Sequence, residues 1–98
     1  MQTNSKISSG SIDELFEAIL TLDNIGQCYM FFEDICTISE IKAISQRLEV
    51  AKMLKKNITY QEISNITGAS TATISRVNRC LNYGTGGYDL ALKKLNDK

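Results

Sequence analysis

Histidine is absent from the 98 residues, and the three cysteines, Cys28, Cys36 and Cys80, fall in none of the paired short spacings of a zinc site. No recognisable nucleophile motif is present either, so the usual ingredients of hydrolysis and metal catalysis are missing. A non-enzymatic role without cofactor is therefore expected. Three cysteines without a pairing pattern read as reduced, buried thiols in a cytoplasmic protein. No apolar run approaches the ~20 residues needed to cross a bilayer, which excludes a membrane-spanning helix. The opening stretch MQTNSKISSG lacks the apolar centre of a signal peptide and matches no lipidation motif. A flexible end over residues 1–10 and one domain over 11–98 are expected. A chain this short buries only part of its apolar surface alone, so a partner copy would help.

Net charge is also absent, with eleven basic residues against eleven acidic ones. That balance hides a segregation. Residues 1–41 hold a single lysine, Lys6, against Asp13, Glu14, Glu17, Asp23, Glu33, Asp34 and Glu40, a net of −6. Residues 42–82 hold Lys42, Arg47, Lys52, Lys55, Lys56, Arg76 and Arg79 against Glu49 and Glu62, a net of +5. A basic half of this kind is the footprint expected of a surface that faces nucleic acid, although two mixed solvated faces would produce the same count.

What is present is helical punctuation. Ser11–Glu14, Thr37–Glu40 and Thr59–Glu62 each place a Glu three residues after a hydroxyl, the spacing of a capping box, and each leads into an apolar-periodic run. After the first, Ile12, Leu15, Phe16, Ile19 and Leu20 recur at three- and four-residue steps. Asp23-Asn24 then breaks the pattern and offers a cap for a second helix, in which Cys28-Tyr-Met-Phe-Phe32 is apolar on every side. Such a run is either a central core helix or a dimer element, the two differing in which chain supplies the neighbours. From Thr37 a long helix carries the stripe Ile41, Ile44, Leu48, Ala51 and Leu54, with Arg47 beside it, at the seam with whatever packs there. Lys55-Lys56-Asn57 closes it, with cations at the negative end of the dipole and an Asn suited to a left-handed cap.

Residues 59–82 then read as two short helices around a glycine. Counted from Tyr60, Ile63 is fourth, Gly68 ninth, Ile74 fifteenth and Val77 eighteenth, the spacing of a helix-turn-helix. Ile63 and Ile66 are expected inward, Ser70 is the expected cap of the second helix, and Ile74, Val77 and Leu81 share its inner face. Ser70, Thr71, Ala72, Thr73 and Ser75 are all small, which lets that helix enter a major groove, where a methyl group can meet that of thymine. Small residues also suit a tight helix crossing. Arg76 and Arg79 lie opposite Ile74 and Leu81, on the phosphate or solvent side, and Lys52, Lys55 and Lys56 are the remaining cationic candidates. Asn82-Tyr-Gly-Thr-Gly-Gly-Tyr88 reads as a turn, since no strand precedes it and no Walker lysine follows. Leu90, Leu92 and Leu95 are expected to pack with Tyr88 in a closing helix.

The stretch ITGASTATISR resembles the GAGIATITR signature of the Trp repressor, and QRLEVAKML with RVNRCLNYGTGGYDLAL resembles the YerC/YecD group of Trp-repressor-like proteins. The likeness spans roughly residues 37–89. It implies an all-α, intertwined homodimer with about six helices per chain and a corepressor pocket behind each helix-turn-helix. Carried over by the motif, the two ligand-clamping arginines fall on Arg47 and Arg76, and the pocket threonines on Thr37 and Thr73. Two positions depart from the family: Val77 stands where the Trp repressor has glycine beside the indole, and Cys80 stands for a pocket serine. Branched bulk in a tight pocket costs affinity, so the effector is expected to be something other than L-tryptophan. Tyr60 and Gln61 replace family residues that contact DNA, so the operator should differ as well. The resemblance implies a DNA-binding transcriptional regulator, a repressor; the alternative is an adaptor that kept the fold without specific DNA reading.

Overall fold

A computed structural model describes residues 7–97, which form, among themselves, α-helices and no strand. In order these are α1 (Gly10–Leu20), α2 (Ile25–Ile35), α3 (Ile38–Lys55), α4 (Tyr60–Thr67), α5 (Thr71–Tyr83) and α6 (Gly87–Asn96). None of the described helices is long and apolar enough to cross a membrane. Of the stretch expected to be a flexible end, residues 1–6 lie outside the described residues. The chain divides into two compact units, the first ending at Thr37 and the second beginning at Ile38.

In the first unit the expected Ser11 cap is displaced by two residues. Ser9 is extended and its hydroxyl accepts from the Ile12 N–H at 3.2 Å, so the helix starts at Gly10 with Ser11 already inside it. Two hydroxyls stood three residues before a suitable amide or carboxylate, and the earlier one gives the longer helix. Asn24 caps α2 as its position suggests, accepting from the Gln27 N–H at 2.9 Å. Phe31 and Phe32 meet edge to face with centroids 5.4 Å apart. No residue described in α1 or α2 is fully buried, and Phe16, Leu20, Ile25, Tyr29 and Met30 are exposed.

The second unit is built around α3, against which α4, α5 and α6 pack. Its core is Val50, Ala51, Met53, Ile63, Ala69, Ile74, Val77 and Leu92, with Leu48, Leu54, Ile58, Leu81 and Tyr88 packed around it. Val50 and Met53 lie off the apolar stripe read from the sequence: α3 is enclosed on more than one side, so its buried surface is wider than a single stripe. Ile44, on the stripe, is exposed. The end of α3 follows expectation, Asn57 taking φ 61° while the Ile58 N–H closes onto the Met53 carbonyl at 3.1 Å. After α5 the chain turns at Gly84, where a Cβ would run into the Cys80 carbonyl.

Three further expectations fail. Ile66 is 68% exposed, because α4 spans two turns and its inward line runs from Ile63 to Thr67, four residues on. Leu90 and Leu95 are exposed and Leu92 alone of the three is buried, since α6 offers α3 one narrow face. The thiols are unpaired but not buried: Cys28 and Cys80 are exposed and Cys36, the extended residue that ends α2, is half-buried, because α2 encloses no residue fully and Cys80 lies beside, not among, the buried residues of α5.

Candidate nucleic-acid interface

The helix-turn-helix is held by side chains as well as by its apolar core. Thr59 caps α4, accepting from the Glu62 N–H at 3.2 Å, and Gly68 ends it at φ 76°. In the turn the Ser64 hydroxyl donates to the Ala69 carbonyl at 2.8 Å. The Thr67 hydroxyl donates to the Ile63 carbonyl at 2.7 Å and accepts from the Ala69 N–H at 3.1 Å. Gln46 on α3 reaches the Thr67 carbonyl with its amide at 3.1 Å, fastening the turn to the central helix. Beneath these bonds Ile63, Ala69, Ile74 and Val77 are closed to solvent. The angle between α4 and α5 is thus set by four buried side chains and the bonds across the turn.

Ser70 opens α5 by accepting from the Thr73 N–H at 3.1 Å, and its own hydroxyl donates to Thr73 Oγ1, also at 3.1 Å. Helical spacing then sorts the small residues onto two sides. Thr71, Ala72, Ser75 and Arg79 form an exposed edge. Thr73, Arg76, Val77 and Cys80 line a cavity of about 380 Å³ together with Arg47 from α3 and Tyr88 from α6. Thr73 is therefore half-buried and turned from the edge on which Thr71 and Ser75 stand. Arg76 is exposed and yet a wall of the cavity. Val77, 1% exposed, belongs to both the cavity and the core.

Tyr60 and Gln61 are exposed at the start of α4. Lys52, Lys55 and Lys56 come together elsewhere, in a cleft of about 640 Å³ at the end of α3, shared with α6 residues Asp89 and Lys93. Lys55 pairs with Asp89 at 2.8 Å and Lys52 with Glu49 at 3.5 Å, both exposed, so part of this charge is answered within the chain. Of the residues carried over for a ligand, Arg47, Thr73, Arg76, Val77 and Cys80 share one cavity. Thr37 is exposed at the end of the first unit. Sequence reasoning treated Tyr88 as packing only and passed over Gln46, Ser64 and Thr67. Polar residues at positions facing a neighbouring helix were the available signal for those three.

Comparison with known proteins gives the same picture over nearly the full chain. Residues 10–96 match the model of the family described as Trp repressor protein. The uncharacterized protein YerC of Bacillus subtilis (strain 168) is 52% identical over 92 residues, covering 94% of this chain and 88% of YerC. A crystal structure of a TrpR-like protein from Eubacterium eligens superposes with a TM-score of 0.90 at 55% identity, covering 95% of this chain and 96% of that one. A candidate Trp repressor from Staphylococcus aureus gives 0.90 at 49% identity, covering 100% and 98%. With its helix order, its helix-turn-helix spacing and its sequence all in agreement, the chain belongs to the Trp repressor family.

Proposed function

We propose that this chain is a cytoplasmic, homodimeric transcriptional regulator that reads DNA with α5, and that it acts as a repressor. The supporting observation is the edge formed by Thr71, Ala72, Ser75 and Arg79, which is open to solvent on a helix whose opposite face is locked into the core. Small side chains at the start of that edge admit a major groove, and Arg79 farther along it reaches a phosphate. Two such helices in a symmetric dimer would meet successive grooves about 34 Å apart, which makes the operator a palindrome. Tyr60 and Gln61 at the start of α4 extend the contact, with Lys52, Lys55 and Lys56 as further cationic contributors.

The cavity behind α5 is the effector site in this reading, with Arg47 and Arg76 as the charged groups. Val77 narrows it against an indole, so L-tryptophan is expected to give no measurable heat on titration. Selection of bound sequences from genomic fragments, followed by binding across a salt series, tests the DNA reading. A palindromic site whose affinity falls steeply with salt supports it; retention of no fragment overturns it. An adaptor role is the second reading, favoured by the zero net charge and the internal pairing of Lys52 and Lys55. Changing Thr71 and Ser75 to aspartate separates the two: loss of DNA with partner capture intact favours the regulator, and loss of partner capture in a chain that selects no DNA sequence even before the change favours the adaptor.

A further inference from the structure

Thr67 ends α4, and a helix end leaves its last carbonyls without partners inside the helix. The Thr67 carbonyl accepts from the Gln46 side-chain amide at 3.1 Å, and both residues are half-buried. A carbonyl only accepts, so the nitrogen end of that amide is the one that faces it. Reach sets this bond apart from its neighbours. The Ser64 and Thr67 hydroxyls find partners no more than five residues away, which shapes the turn locally, whereas Gln46 joins the turn to α3 across 21 residues. Beyond that bond, Ile63 and Ala69 share an apolar cluster with Val50 and Met53 of α3. Apolar contact has no preferred direction, while a hydrogen bond weakens steeply away from its distance and angle. The orientation of the turn on α3 is therefore the part that Gln46 defines. From Thr67 the path to the exposed edge of α5 is short: its hydroxyl accepts the Ala69 N–H at 3.1 Å, Ser70 caps the helix, and Thr71 and Ala72 follow. Side chains that read a partner have to be held to within about 0.5 Å, so a turn that shifts on α3 takes that edge out of register.

We propose that Gln46 is a positioning residue for DNA reading: its amide holds the Thr67 carbonyl and so fixes how α5 projects from α3. Loss of that bond costs sequence discrimination, while contacts to phosphate, which tolerate a small tilt, are kept. The proposal rests on the reading of α5 as the DNA-reading helix. It adds a residue that touches no DNA itself and acts through the turn.

The test compares the full-length wild type with Gln46→Met, which keeps the length and removes the donor, and Gln46→Glu, which keeps the shape and turns an acceptor toward the carbonyl. For each, the Kd is measured on the duplex selected by the wild type and on a shuffled duplex of equal length, at several salt concentrations. Urea unfolding confirms that each variant is folded under these conditions, where affinity no longer follows stability; Gln46→Asn, too short to reach, replaces either one that is not. The ratio of the two affinities is expected to fall by about fivefold in Gln46→Met, the size of one ordinary hydrogen bond, with the salt slope unchanged. Gln46→Glu is expected to lower the ratio at least as far, the reverse of the order that packing alone would give. Without DNA, hydrogen exchange at the Gly68 and Ala69 amides should quicken in Gln46→Met while that at Val50 and Ala51 stays as in the wild type. An unchanged affinity ratio in a folded variant, a milder effect of Gln46→Glu than of Gln46→Met, or unaltered exchange at the turn overturns the proposal. A wild-type chain that selects no sequence is a different failure: it overturns the DNA reading itself, and the proposal with it.

Discussion

Gly68 carries the sharpest conformational demand in the helix-turn-helix. At φ 76° it sits where an L side chain is strained, yet a Cβ added there would meet nothing within 4 Å. The two facts separate backbone strain from crowding. Gly68→Ala should therefore cost the conformational term alone, about 1–2 kcal/mol, seen as a lower urea midpoint with an unchanged slope. Asn57, at φ 61°, meets a similar demand with a side chain that tolerates it, so Asn57→Gly should be nearly neutral in the same assay. Ser70 acts one step further on. Its hydroxyl accepts the Thr73 N–H, and Ser70→Ala should lose about 1 kcal/mol by the same measurement. Because Ser70 also bonds the Thr73 hydroxyl, the variant should in addition loosen Thr73 at the mouth of the cavity.

At the level of elements, α5 serves two sides at once. Its inner residues Ile74 and Val77 are fully enclosed, and Ile74→Ala should cost about 2–5 kcal/mol, since the surrounding helices close the cavity only in part. Its outer residue Arg79 is free of that core. Arg79→Ala should leave the melting temperature within about a degree or two, weaken DNA binding across all sequences, and reduce the salt slope by about 1. A variant that instead changes sequence preference would place Arg79 on a base. The helix-turn-helix was legible because its signals are local: Thr59, Gly68 and Ser70 sit at fixed offsets from Ile63, Ile74 and Val77. The same locality explains the misses. Ser9 and Ser11 both satisfy the capping pattern, and only the backbone decides between them. Ile66 is apolar at a helical step from Ile63, but which neighbour lies beside it is a tertiary fact. Arg76 shows the limit most clearly. A wheel places it outside, and the structure leaves it exposed, yet it still lines the cavity because Arg47 and Tyr88 arrive from helices far along the chain.

For the molecule as a whole, the acidic first unit leaves much apolar surface bare. None of the residues described in α1 or α2 is fully buried, and Met30 is 71% exposed beside Tyr29. A chain of 98 residues that leaves so many large apolar side chains open has stability still to gain from covering them. A second copy is the covering the homodimer reading supplies, with α1 and α2 as its contact elements. If folding and association are coupled in this way, the melting temperature must rise with protein concentration, because a dimer's stability includes its own mass action. Met30→Lys separates this from a merely exposed residue. At a solvated position the change should be within about 0.5 kcal/mol of neutral, while in an interface it buries an unpaired ammonium, which is far more costly than the lost contacts. Sedimentation of the wild-type chain should give a dimer at micromolar concentration, and the Met30→Lys variant a monomer with a lower, concentration-independent melting temperature. A wild-type monomer whose melting temperature ignores concentration would remove the dimer, and with it the spacing of two α5 helices on which palindromic reading depends.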